Sequence, residues 1–191
     1  MTNNREILKS QINAALDARI AEKRAQHDAG AITDKVFDTN RDHFTALAVS
    51  LCNDAMLDTC ERFTIDPVTV AKTLAMKTQD KAIKLIAHLT SEKLFSDPYA
   101  TPIIRNAIPF SKRSAPFSNT DQCATLCEAV DSDNRAKMKE KKAYTVGTAA
   151  SQSSQVRRLL SDLNIATETR DGILLNMSHP VVTFFVDRTK K

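Results

Sequence analysis

Residues 151–164 read SQSSQVRRLLSDLN. Val156, Leu159, Leu160 and Leu163 recur at i, i+3, i+4 and i+7, the spacing that gathers apolar side chains on one face of a helix. The Ser/Gln run ahead of them suits a helix opening, because short polar side chains accept backbone N–H groups that a first turn leaves unpaired. Before this segment stands a basic stretch, RAKMKEKKAY (135–144), and before that a helix is expected from about Thr120 to Val130, with Cys123, Leu126, Cys127 and Val130 on one face. Behind it lie two apolar, partly β-branched runs, ILLNM (173–177) and VVTFFVD (181–187). Ser178-His179-Pro180 separates them, so they read as a hairpin.

This order, helix, basic helix or turn, Ser-opened helix, hairpin, is similar to that of a winged helix-turn-helix domain. The spacing from Val146 to Leu159 resembles the helix-turn-helix pattern, with Val146 and Ala149 as apolar positions of a first helix, Ala150 as the small residue at the turn, and Val156 and Leu159 as inward positions of a recognition helix. The string ASQSSQVRRLL (150–160) resembles the opening of that helix in many bacterial regulators. The sequence departs from the pattern at Ser151, where an apolar residue is usual. Gly147, Thr145 and Val146 are poor helix formers, so Tyr144-Thr145-Val146 also reads as a short strand.

The resemblance implies DNA or RNA as partner. It places Gln152, Ser153, Ser154, Gln155, Arg157, Arg158 and Ser161 on the exposed face or N-terminal end of the recognition helix. The hairpin becomes a wing, with His179 near its tip and Arg188, Lys190 and Lys191 close to the nucleic-acid backbone. Arg suits bidentate reading of guanine and Gln of adenine, while Ser hydroxyls and a helix N-terminus suit phosphate. Arg157 and Arg158, adjacent on the helix and flanked by inward Val156 and Leu159, are both expected to face outward. The plainer alternative is a capped amphipathic helix on a two-stranded ribbon, with solvated arginines.

Charge is distributed unevenly. Residues 135–191 hold eleven Lys/Arg against five Asp/Glu, a net of +6, while residues 1–134 hold sixteen against eighteen, a net of −2. The overall +4 therefore conceals a basic C-terminal part, a footprint that suits a polyanion and equally a solvated basic surface.

The N-terminal part reads as a helical domain, residues 1–95. Leu8, Ile12, Leu16 and Ile20 mark a helix over 4–28, with Asp28-Ala29-Gly30 as its stop. Phe44, Leu47, Ala48, Leu51 and Ala55 mark a second, from about Asp34 to Arg62. The pair suits an antiparallel hairpin or, because long apolar stripes can be buried between chains, a homo-oligomer contact. Asp66-Pro67 starts a third helix, and a fourth runs from about Gln79 to Leu94, its Lys81 and Lys84 pointing away from the core. Residues 96–118 carry Pro98, Pro102, Pro109 and Pro116. Each proline removes a donor and restricts its predecessor, so this stretch reads as a linker or packed arm before a module at 119–191. The expected class is thus mainly α with a small C-terminal β-hairpin: an N-terminal helical bundle followed by a winged-helix-like module.

Other classes are disfavoured. With only Gly30, Gly147 and Gly172, no glycine-rich phosphate loop can form. The four histidines share no spacing, no nucleophile elbow or HExxH occurs, and no catalytic residue is nominated. Neither Cys52 and Cys60 nor the pair Cys123 and Cys127 has metal-ligand company, so no metal or cofactor is expected and the thiols read as free. No stretch approaches the roughly 20 apolar residues of a membrane span, and the charged N-terminus lacks a signal-peptide core, which together suggest a cytoplasmic, intracellular protein. The functional expectation is a nucleic-acid-binding protein of regulatory or genome-handling type, viral or plasmid contexts included. The alternatives are a protein–protein adaptor or inhibitor and a structural subunit of a larger assembly.

Overall fold

In the computed structural model, which describes residues 2–93, 97–128 and 144–189, the first apolar stripe becomes helix α1 (Thr2–Asp28) with Ile12 and Leu16 fully buried. Gly30 ends it. Its φ is +70°, its N–H donates to the His27 carbonyl, and the Ala31 N–H donates to the Gln26 carbonyl at 2.8 Å, which closes a left-handed C-terminal cap. The chain returns as α2 (Asp34–Leu51), capped by Thr33. The return is antiparallel: Arg24 lies over the Phe37 ring at one end, and Cys52 reaches the Lys9 carbonyl at the other.

The single helix expected over Asp34–Arg62 is interrupted. Asn53 leaves helical conformation, and its Oδ1 accepts from Ala55 N at 3.0 Å and Met56 N at 3.4 Å, which starts α3 (Asp54–Arg62). An Asn side chain that can bond nearby N–H groups offers the backbone an alternative to continuing the helix. The short α4 (Pro67–Lys72) starts as expected, with Asp66 accepting from Val68 N at 2.9 Å. The next helix, α5 (Met76–Thr90), buries Ala82, Leu85, Ile86 and Leu89. It also buries Lys81, contrary to expectation.

The carbonyls at the end of α4 need donors, and two side chains supply them. Arg19 donates to Ala71 O at 3.1 Å and Leu74 O at 2.7 Å. Gln79, fully buried, donates to Val70 O at 2.9 Å and Ala71 O at 3.2 Å, while its Oε1 faces His43 Nε2 at 2.9 Å. These elements make up one compact unit, Met1–Ser91; the second is Glu92–Lys191.

The second unit corrects the linker reading of 96–118. Residues Ala100–Ser111 form helix α6, with Ile103, Ile104, Ala107 and Ile108 buried. Asp97 Oδ1 accepts from Tyr99 N at 3.0 Å and Ala100 N at 2.8 Å, and this turn through Pro98 leads into α6, whose N-cap position is Tyr99. Pro102 falls within the first turn, where N–H groups have no helical partner, and Pro109 falls in the last. There follow β1 (Phe117–Ser118), α7 (Asn119–Glu128), α8 (Val146–Asp162), β2 (Ala166–Thr169), β3 (Gly172–Leu175) and α9 (Pro180–Thr189). The basic stretch 135–143 lies outside the described residues.

The strands form one antiparallel sheet in the order β1-β3-β2, with Phe117 opposite Ile173, Ser118 opposite Gly172, and Thr169 also opposite Gly172. The expected hairpin is displaced. Its strands are 166–169 and 172–175, joined at Arg170-Asp171, and 181–187 belongs to a helix. Pro180 occupies the first turn of α9, His179 Nδ1 accepts from Val181 N at 3.2 Å, and Val181, Val182 and Phe185 are buried at helical spacing. The strand at 166–169 escapes a search for apolar runs because Thr167 and Glu168 face solvent. The protein is thus mainly helical with a small three-stranded sheet, and among the described residues no helix is long and apolar enough to cross a membrane.

Candidate nucleic-acid interface

Helix α8 runs unbroken from Val146 to Asp162, so the turn expected at Ala150 between a first helix and a recognition helix is absent, and Tyr144-Thr145-Val146 is not a strand. Thr145 caps it, accepting from Thr148 N at 3.3 Å. Tyr144 is held just before the cap. Its carbonyl accepts from the Cys127 thiol at 3.7 Å, its ring lies 5.0 Å from that of Tyr99, and burial, helped by Tyr99, pushes its phenol up to about 12. Ala149, Ser153, Val156, Leu159 and Leu160 face the core, where α8 packs on α7, α6 and β2. Thr148, Ala150, Ser151, Ser154 and Arg158 are exposed, with Gln152, Gln155 and Ser161 partly so.

The two arginines part company. The Arg158 side chain is 71 % exposed and sits 3.4 Å from Asp162, one turn on. Arg157 is only 22 % exposed. It donates to Asn119 Oδ1 at 2.6 Å and lies 3.6 Å from Glu168 on β2, so it ties α8 to the start of α7 and to the sheet. The expectation that both face outward is therefore corrected: at about 100° per residue, neighbours cannot share one narrow face, and Arg157 falls on the side where α7 and β2 lie. Ser153 is likewise inward, 4 % exposed, and donates to Gln122 Oε1 at 2.9 Å.

His179 is not at a hairpin tip. It is buried and caps α9 through Nδ1. The exposed tip between β2 and β3 is Arg170-Asp171. Arg188, on α9, lies 3.9 Å from Glu92 and over the Phe184 ring, and the principal packing partner of α9 is α6. Lys190 and Lys191 lie outside the described residues. Asn119, Gln122 and Arg170 were not singled out in the sequence. Nothing local marks the first two, whereas the Thr-Arg-Asp-Gly turn at 169–172 offered a signal for the third.

Burial lowers the pKa of His179 below its ordinary 6.5, because the charged imidazolium is desolvated and Nδ1 must stay unprotonated to cap. The unfolded chain therefore takes up this proton at higher pH than the folded one. The stabilisation from neutral His179 is complete above about pH 6.5 and is lost as pH falls from there through the lowered folded value. His179→Asn, which keeps a cap acceptor that does not titrate, is expected to narrow its stability deficit against wild type as pH drops below 6.5. Paired urea denaturations across that range measure the difference, and a deficit independent of pH would refute the assignment.

Among the described residues no group of His, Cys, Asp or Glu could hold a metal ion. All four cysteines are free, and burial pushes the Cys60 thiol up to about 12. Compared with known proteins, the chain matches no family model, no curated protein and no solved structure.

Proposed function

We propose that the second unit is a winged-helix-like module that binds DNA or RNA, with α8 as the helix that enters a groove and the β2–β3 turn as a short wing. The observation that carries this reading is the element order: α7, then α8 packed against it, then an antiparallel hairpin whose first strand packs on α8. A groove-binding helix needs one face fixed to a scaffold and one face free, and α8 has both. The free face presents Thr148, Ser151, Ser154, Gln155 and Arg158, groups able to contact base edges and phosphates. Arg170 at the hairpin tip and the net +6 of residues 135–191 add attraction for a polyanion.

A second reading, a protein-binding adaptor, draws on one feature of the same helix. From Val146 to Val156 it has no charged residue, and Val146 is 73 % exposed.

A salt-dependent titration of the full chain with random duplex DNA, single-stranded DNA and RNA separates the two. Binding that weakens steeply with salt supports the first reading. Arg158→Ala, at an exposed position, should change stability by no more than about 0.5 kcal/mol and lower the slope of log affinity against log salt by about one unit if Arg158 meets a phosphate. Absence of affinity for all three probes, in protein shown by circular dichroism to be folded, sinks the nucleic-acid reading in favour of the adaptor.

A further inference from the structure

We propose that Gln122 and Ser153 are positioning residues that set which face of α8 points outward, an inference that rests on α8 being the binding helix. The two side chains meet inside the second unit at 0 % and 4 % exposure. Ser153 Oγ donates to Gln122 Oε1 at 2.9 Å, and Gln122 Nε2 donates to the Phe117 carbonyl at 2.9 Å. One amide thereby joins β1, α7 and α8.

The rest of the buried seam of α8 is apolar: Ala149, Val156, Leu159 and Leu160. Apolar burial is non-directional, so it keeps this seam inward but leaves the exact rotation and register to directional contacts. A buried hydrogen bond is directional, and displacing it strands polar atoms away from water. A second tie stands one turn along both helices, Arg157 to Asn119 at 2.6 Å. Asn119 and Gln122 are i, i+3 on α7, and Ser153 and Arg157 are i, i+4 on α8, so each pair shares a helix face. Two ties a turn apart fix both the rotation of α8 and its register along α7. At about 100° per residue, Ser151, Gln155 and Arg158 lie on the side of α8 opposite Ser153. A slip by one residue would turn that whole face by about 100°.

The test uses the full chain, random-sequence duplex DNA, fluorescence anisotropy over a salt series, and circular dichroism with urea denaturation on the same samples. Gln122→Leu with Ser153→Ala removes the tie while keeping the seam apolar. It is expected to remain folded and to bind about tenfold more weakly at about 0.1 M salt, the effect of losing one phosphate contact from a helix turned in every molecule. Its salt slope should also fall, because Arg158 leaves the interface. Ser153→Thr, which retains the hydroxyl, should bind as wild type does. Loss of folded protein would leave the salt slope of the folded fraction untouched, so the slope separates positioning from stability. Should the double variant not fold, Ser153→Ala alone carries the same two readouts. Wild-type affinity and slope in a folded variant would overturn the positioning role. A wild type that binds no duplex would overturn α8 as a helix that enters a duplex groove and this inference with it, while absence of affinity for single-stranded DNA and RNA as well would overturn the nucleic-acid reading itself.

Discussion

Gly172→Ala is expected to destabilise the second unit by about 3 kcal/mol, at the upper end of overpacking effects. A Cβ at this position would lie 2.0 Å from the Phe117 carbonyl oxygen, 2.7 Å from its carbon and 2.8 Å from Ser118 Cα. All three are backbone atoms, so no side chain can swing aside. Strand β1 would have to withdraw from β3, giving up the pairings of Phe117 with Ile173 and Ser118 with Gly172 and loosening Phe117, which is 2 % exposed. Urea denaturation of the full chain followed by far-ultraviolet circular dichroism provides the measurement. Gly147→Ala is the control: nothing lies within 4 Å of its added Cβ, so stability should hold or rise slightly. Equal stability of Gly172→Ala and wild type would contradict the close approach of β1 to β3.

Gln79→Leu is expected to cost the first unit about 2–3 kcal/mol, although the new side chain is of similar size and apolar. Gln79 is wholly buried and makes three hydrogen bonds, two to Val70 O and Ala71 O and one with His43. Leucine can fill the space but cannot donate, so the Val70 and Ala71 carbonyls lose this donor, and Ala71 O keeps its bond from Arg19. His43 loses its buried acceptor as well. A denaturation midpoint equal to that of wild type would show that these carbonyls find other partners at little cost. Gln79→Glu keeps an acceptor toward His43 but sets a carboxylate against the Val70 and Ala71 carbonyls, so its cost should exceed that of Gln79→Leu.

Much of the fold was legible wherever a local rule dominates. The stripe Leu8, Ile12, Leu16, Ile20, the stop at Gly30, the Asp66-Pro67 start and the inward face Val156, Leu159, Leu160, Leu163 all follow from helical periodicity and from the needs of unpaired N–H and C=O groups at helix ends. Each involves residues within a few positions of one another, so the sequence alone determined them. The same grammar was present at Asp97-Pro98 and His179-Pro180. There it was outweighed by proline content in one case and by β-branched residues in the other, although an acceptor side chain followed by proline favours a turn into a helix at the first and a capped first turn at the second.

Tertiary structure decided the rest, because the deciding contacts join residues far apart in the chain. Whether Arg157 faces solvent depends on Asn119 and Glu168. Whether Ser153 is free depends on Gln122, 31 residues earlier. Whether 172 must be glycine depends on the carbonyl of Phe117. No periodicity encodes such pairings: a hydrogen bond or a steric limit is fixed only when two segments meet at a distance set by the packing of everything between them. The chain by itself therefore marked out α8 as an amphipathic helix, and packing chose which of its polar side chains stayed outside.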